Sequence, residues 1–145
     1  MNLRAGIQCA IFLALVILPA RALAQSRSSS DGRASAAFAE VLVRKTELLA
    51  DAEALGADYT DTNPKILDLR HEVAELDKSL KRILAAPAAD QSKLTLALGK
   101  LMVKRASLDT DFFHLSRTLN PDHTDYKRAK KRLEIFDAAI KEILP

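Results

Sequence analysis

Three histidines are the natural place to look for chemistry. His71 stands four residues before Glu75, His114 three residues after Asp111, and His123 between Asp122 and Asp125. An imidazole and a carboxylate one helical turn apart can exchange a proton or supply two ligands to a metal. A catalytic zinc, however, takes three protein ligands in a fixed cluster, and no HExxH or related spacing occurs. His71 and Glu75 are therefore expected to form a surface pair. Ser107 and Ser116 have no His–Asp partner nearby in sequence, and there is neither a GxSxG elbow nor a glycine-rich phosphate loop. Asp109 and Asp111 are expected to face solvent as ordinary ionised carboxylates, not as tuned acid–base groups. The one cysteine, Cys9, lies in the N-terminal apolar segment. These patterns predict no catalytic residue, no metal ligand and no cofactor, and hence a protein that is not an enzyme.

The densest functional candidate is a charge run, "KRAKKR", containing Lys127, Arg128, Lys130, Lys131 and Arg132. It falls at the start of a helix, where cations oppose the helix dipole. Such runs are usually solvated faces. The alternative is a binding face for a protein partner or an anionic surface, such as a lipid head group or acidic polysaccharide.

The elements that carry these residues are helices. The chain is rich in Ala, Leu, Lys, Asp and Glu, with only 4 Gly and no Trp. Four amphipathic stretches are legible from 3/4 spacing. The first runs from about 34 to 57, with Phe38, Val41, Leu48, Ala52 and Leu55 on one stripe. The second starts near Pro64, with Ile66, Leu69, Val73, Leu76, Leu80 and Ile83 inward as a coiled-coil seam. A third, from about 93 to 118, turns Leu94, Leu98, Leu101, Leu108, Phe112 and Leu115 inward. The fourth, from about 124 to 144, does the same with Tyr126, Ala129, Leu133, Phe136, Ile140 and Ile143. Asn63 is expected to cap the second helix, with Pro64 at its first position. Asp122 or Thr124 is expected to cap the fourth. Tyr59 and Leu119, just before the turns, are expected to pack on the following helix like a hydrophobic staple.

Displacing the chain by sixty residues brings its halves into register without a gap. Val43 falls on Val103, Leu48 on Leu108, Asp51 on Asp111, Asp77 on Asp137, Lys81 on Lys141 and Leu84 on Leu144. Matching leucines follow from any two amphipathic helices; matching Asp51, Asp77 and Lys81 does not. The pattern is a tandem repeat. It predicts an all-α fold of two antiparallel helical hairpins, 34–84 and 94–145, joined by a linker over 85–93. Lys45 and Arg105 occupy equivalent seam positions where an apolar residue is expected. The simpler reading is that their stems cover the core edge while the charges reach solvent; the sharper one is a register-setting pair with an acid on the facing helix. Two tightly packed hairpins are expected to leave little room for a substrate pocket.

Charge divides between the halves. Residues 34–84 hold seven basic and ten acidic side chains, residues 94–144 ten basic and seven acidic. Opposite charge can steer the hairpins together, within a chain or between chains. The whole chain carries +3, but two of its basic residues, Arg4 and Arg21, lie in the N-terminal segment. That segment, residues 1–24, reads as a secretory signal peptide: "MNLR", the apolar "AIFLALVIL", Pro19, then "ALA" before Gln25. Its apolar run is short for a membrane span of about 20 residues; an uncleaved inner-membrane tether is the alternative. The mature chain is then thiol-free and nearly neutral, which gives no footprint for nucleic acid. Residues 25–33 read as a disordered polar lead-in.

The stretch "YTDTNPKILDLRHEVAELDKSL" resembles the helical-hairpin segment of polysaccharide chain-length regulators and related envelope coiled-coil proteins. Tyr59, Asn63, Pro64, Ile66 and Leu69 carry the resemblance; in the second copy only His123 and the helix spacing match. The paired transmembrane helices and α/β base of that family have no counterpart here. Small periplasmic helical chaperones are a second comparison, but their LTxxQ signature is absent. Together with the N-terminal segment and the opposite-charge hairpins, the expectation is an exported, periplasmic, non-enzymatic interaction or scaffold protein that binds a protein partner or itself. A chaperone-like or anion-binding module using the fourth helix is the alternative. No nucleic acid and no small-molecule substrate is expected.

Overall fold

The computed structural model describes residues 32–145; the signal-peptide reading of 1–24 lies outside them. Four helices form: α1 (Ala36–Gly56), α2 (Pro64–Leu84), α3 (Leu96–Thr118) and α4 (Thr124–Ile143). Short 3-10 turns cover Gly32–Ala34 and Ala88–Lys93. The protein is all-α, and no described helix is long and apolar enough to cross a membrane. The lead-in read as disordered over 25–33 is corrected at its end. There the Gly32–Ala34 turn is seated on the last turn of α2, with Gly32 buried so close to the Ile83 carbonyl that a Cβ would lie 3.0 Å from it.

Each helix start is specified locally, and the starts repeat. Ser35 Oγ accepts a hydrogen bond from Phe38 N (3.2 Å), and sixty residues on Thr95 Oγ1 accepts one from Leu98 N (3.3 Å). Asn63 Oδ1 accepts from Lys65 N (2.9 Å), with Pro64 at the first helical position. Its counterpart His123 accepts from Asp125 N through Nδ1 (3.2 Å). The cap of α4 is therefore an imidazole and neither Asp122 nor Thr124. The turns match as well: Asn63 N donates to Thr60 O, and His123 N to Asn120 O, both at 2.9 Å.

α1 and α2 form one hairpin, α3 and α4 the other, and α3 is the shared element. It packs against α1, α2 and α4, whereas α4 makes extensive contact with α3 alone. The core comprises Val41, Leu48, Leu76, Leu80, Ile83, Leu98, Met102 and Ala106, with Ile140 and Leu144 entering from the end of α4. A close approach of α1 to α3 is made possible by Gly99: a Cβ there would lie 2.9 Å from both Ala37 Cα and Glu40 Cβ.

Three expectations need correction. Tyr59 is 54% exposed and so not the buried staple expected, whereas Leu119 is half-buried. Tyr126, Ala129, Leu133 and Phe136 are only half-buried, because α4 has one major neighbour where α2 has two. α3 buries Gly99, Met102, Ala106 and Thr110 in addition to Leu98 and Leu108, because it serves as an internal wall on more than one side.

Candidate functional site

The residues with chemical potential gather where α2, α3 and α4 meet, and Arg105 organises them. Its guanidinium bonds Glu75 of α2 through Nη1, reaches Asp137 of α4 through Nε at 3.0 Å, and lies 3.6 Å from Asp109 one turn along α3. Glu75 also accepts from Lys78. His71 Nε2 lies 3.2 Å from Asp109 Oδ2, and its ring stacks on Phe113 with centroids 4.1 Å apart. Farther along, Asp68 meets His114 Nδ1 at 3.0 Å and Arg117 at 3.8 Å.

Lys45 Nζ meets Asp77 at 2.6 Å, the repeat counterpart of the Arg105–Asp137 contact. The seam cations therefore pair with the facing helix; the simpler snorkelling reading is overturned. Only the second copy adds a bond to another hairpin, because Arg105 also has Glu75 in reach. Asp109, expected in solvent, has a side chain only 16% exposed and is held by Arg105 and His71. His71 pairs with Asp109 in preference to Glu75, and His114 with Asp68 in preference to Asp111, since α2 and α3 run side by side.

Burial alone would push the Glu75 carboxyl up. The hydrogen bonds and charges of Lys78 and Arg105 outweigh that effect and hold it below its ordinary value. Arg105 shows the converse: burial would lower it, yet its bond to Asp137, the charges of Asp109 and Asp137 and the bond to Glu75 raise it.

His71, Glu75 and Asp109 bring three ligand-type atoms within 4.8 Å of one another. Sequence spacing missed this cluster because its third member comes from another helix. Its donors are already engaged, Glu75 by two cations and Asp109 by Arg105 and His71. A bound cation would have to displace the guanidinium, so the arrangement is that of a structural ion-pair network. It ties α2, α3 and α4 together.

An open groove of about 850 Å³ lies beside this network, bordered by the C-terminal half of α3, the N-terminal half of α4 and Asp68 of α2. Its floor includes Leu108, Leu115 and Ala129, and its charged lining consists of Arg128, Lys131 and Arg132 together with Asp68, Asp111 and Asp125. The expectation that packed hairpins leave little room is corrected by this groove. The groove also divides the basic run. Arg128, Lys131 and Arg132 line it, while Lys127 and Lys130 point elsewhere on the helix. Lys127 pairs with Asp122 at 3.1 Å, Arg128 with Asp125 at 3.6 Å and Lys131 with Glu134 at 3.4 Å. Lys130 and Arg132 have no ion-pair partner among the described residues. Comparison of the chain with protein-family models, curated proteins and solved structures finds no match.

Proposed function

We propose that this chain is a non-enzymatic interaction module of the cell envelope, exported by its N-terminal segment, that binds protein through the α3–α4 groove. One observation carries the reading. The acids and imidazoles gathered at the α2–α3–α4 junction are engaged in ion pairs that join the helices, whereas the groove beside them is left open, with an apolar floor and a rim of both cations and carboxylates. A groove with an apolar base and a charged rim of both signs suits a macromolecular surface that offers leucine-type side chains flanked by charged ones. Comparing the triple variant Arg128→Gln/Lys131→Gln/Arg132→Gln with the unaltered chain tests it. The variant keeps its helical circular dichroism and loses association with itself or with immobilised periplasmic extract. Undiminished association by the folded variant contradicts the reading. N-terminal sequencing of the protein recovered from periplasm checks the export step; the expected first residue is Gln25.

The cations of the rim also favour a second reading, in which the groove takes an anionic polymer or lipid head group. Arg132, without an ion-pair partner on the rim, is the observation behind it. Binding that falls steeply with salt and requires no apolar contact would distinguish it.

A further inference from the structure

The tandem repeat makes a statement about the surface that neither hairpin makes alone. In the fold, α3 receives the first hairpin on a face that buries Gly99, Met102, Ala106 and Thr110. Sixty residues earlier, the same face of α1 consists of Ala39, Leu42, Thr46 and Ala50, and all four are exposed. Met102 is 1% accessible, its counterpart Leu42 is 42%, and the neighbouring Val43 and Leu49 reach 59% and 48%. Leu42, Val43, Thr46 and Ala50 border a shallow apolar trough.

The opposite face shows the same vacancy. The first hairpin presents Ala37, Asp68, His71 and Glu75 to α3. Their counterparts in the second hairpin are Ala97, Arg128, Lys131 and Ile135, all exposed, with Ile135 at 56%. Arg128 and Lys131 line the α3–α4 groove, so that groove is the repeat equivalent of the trough between α1 and α2 in which α3 lies. One hairpin–hairpin interface is filled inside the chain, and both halves of a second, related interface stand open at its two ends.

We propose that the occupant of the α3–α4 groove is α1 of a second copy of this chain, seated on the same face of the hairpin as α3 is on the first, but farther out, because Ala39 stands where Gly99 lets α3 approach Ala37 closely. This rests on the interaction-module reading above and names its partner. Charge complementarity supports it. Within the chain, acids on α2 meet cations on α3: Asp68 with His114 and Arg117, Glu75 with Arg105. Between copies these three pairs do not recur, since His114, Arg117 and Arg105 map onto Ala54, Ala57 and Lys45; the complementarity is that of the two halves as wholes, residues 94–144 carrying the basic excess and residues 34–84 the acidic one. The stacked pair His71–Phe113 maps onto Lys131 and Glu53, which are opposite in charge and both exposed. The buried Glu75 maps onto the exposed, apolar Ile135, and its partner Arg105 onto Lys45, whose ammonium is held by Asp77. Such an interface joins unlike faces, so it is heterologous and propagates as a ring or a row of copies.

Sedimentation velocity over a hundredfold concentration range tests this. The unaltered chain grows in average mass with concentration. Lys131→Glu and Glu53→Lys each weaken the association at least tenfold, while the double variant Glu53→Lys/Lys131→Glu restores it. Both positions are exposed, so folding, checked by circular dichroism, is retained. A chain that stays monomeric throughout overturns the self-docking. If heparin then binds and the Arg128→Gln/Lys131→Gln/Arg132→Gln variant releases it, the groove belongs to an anionic partner and the interaction-module reading survives. If neither heparin nor periplasmic extract binds, that reading falls too. Association that is insensitive to both charge reversals, or not restored by the double variant, likewise overturns the proposed geometry.

Discussion

Replacing Arg105 by Met keeps the apolar stem and removes the charge, and its cost is set by the carboxylates it leaves behind. The Glu75 side chain is 4% exposed, Asp109 16% and Asp137 43%. Removing one partner of a buried pair costs about 3–5 kcal/mol because the remaining charge is stranded. Glu75 keeps the ammonium of Lys78, and Asp109 keeps His71, so the lower half of that range applies; Asp137, half in water, adds less than about 1 kcal/mol. A loss of about 3–4 kcal/mol is expected. The repeat supplies an internal control. Lys45→Met removes the equivalent seam cation, but its partner Asp77 is 42% exposed and no second hairpin is bonded. Its expected cost is about 1 kcal/mol or less. Urea denaturation followed by helical circular dichroism measures both. Equal costs for the two variants would refute the assignment of Arg105 as the tie between hairpins, as would a loss below about 1 kcal/mol for Arg105→Met.

Three further outcomes follow from the same packing. Glu75 is held below its ordinary value of 4.5 by Lys78 and Arg105, after burial has pushed the other way; its stabilising contribution is thus complete above that value and lost as pH falls through the lowered one. Urea midpoints should place Glu75→Gln well below the unaltered chain at pH 7, with the gap closing below about pH 4. Gly99→Ala should destabilise the fold despite a helix-propensity gain of about 1 kcal/mol, since the new methyl meets α1 backbone at 2.9 Å, whereas Gly56→Ala, with nothing within 4 Å, should be neutral or stabilising; thermal melts compare the two. Leu76→Asp, at a fully buried position, should unfold the domain, whereas Phe136→Asp, on the half-covered face of α4, should leave it folded with a lowered melting temperature.

The helices were legible because 3/4 spacing is a local property, and the repeat because Asp51, Asp77 and Lys81 recur where periodicity alone does not demand them. The Asn63 cap of α2, followed by Pro64, is likewise a property of residues within one turn. What escaped the sequence depends on how many neighbours a helix has. The stripe on α4 is as regular as that on α2, yet α4 has one major neighbour, and Leu133 and Phe136 stay half-exposed. α3 has three, so Met102 and Ala106 are buried off the main stripe. The Arg105 network joins Glu75, Asp109 and Asp137 from three helices, a convergence with no spacing signature. Of the basic run, the sequence showed its charge but not its division: helical geometry turns Arg128, Lys131 and Arg132 to the groove and Lys127 and Lys130 away. The charge difference between hairpins was visible at once; its meaning required knowing which faces are filled.

That meaning is open to one direct measurement. In a Cys9→Ser background, chains carrying only Glu53→Cys are mixed with chains carrying only Lys131→Cys and oxidised gently. These positions are the repeat counterparts of Phe113 and His71, whose rings stack in the fold. Head-to-tail docking predicts a disulfide-linked dimer from the mixture and little or none from either variant alone. No cross-link in the mixture, or equal cross-linking in the unmixed samples, would contradict it.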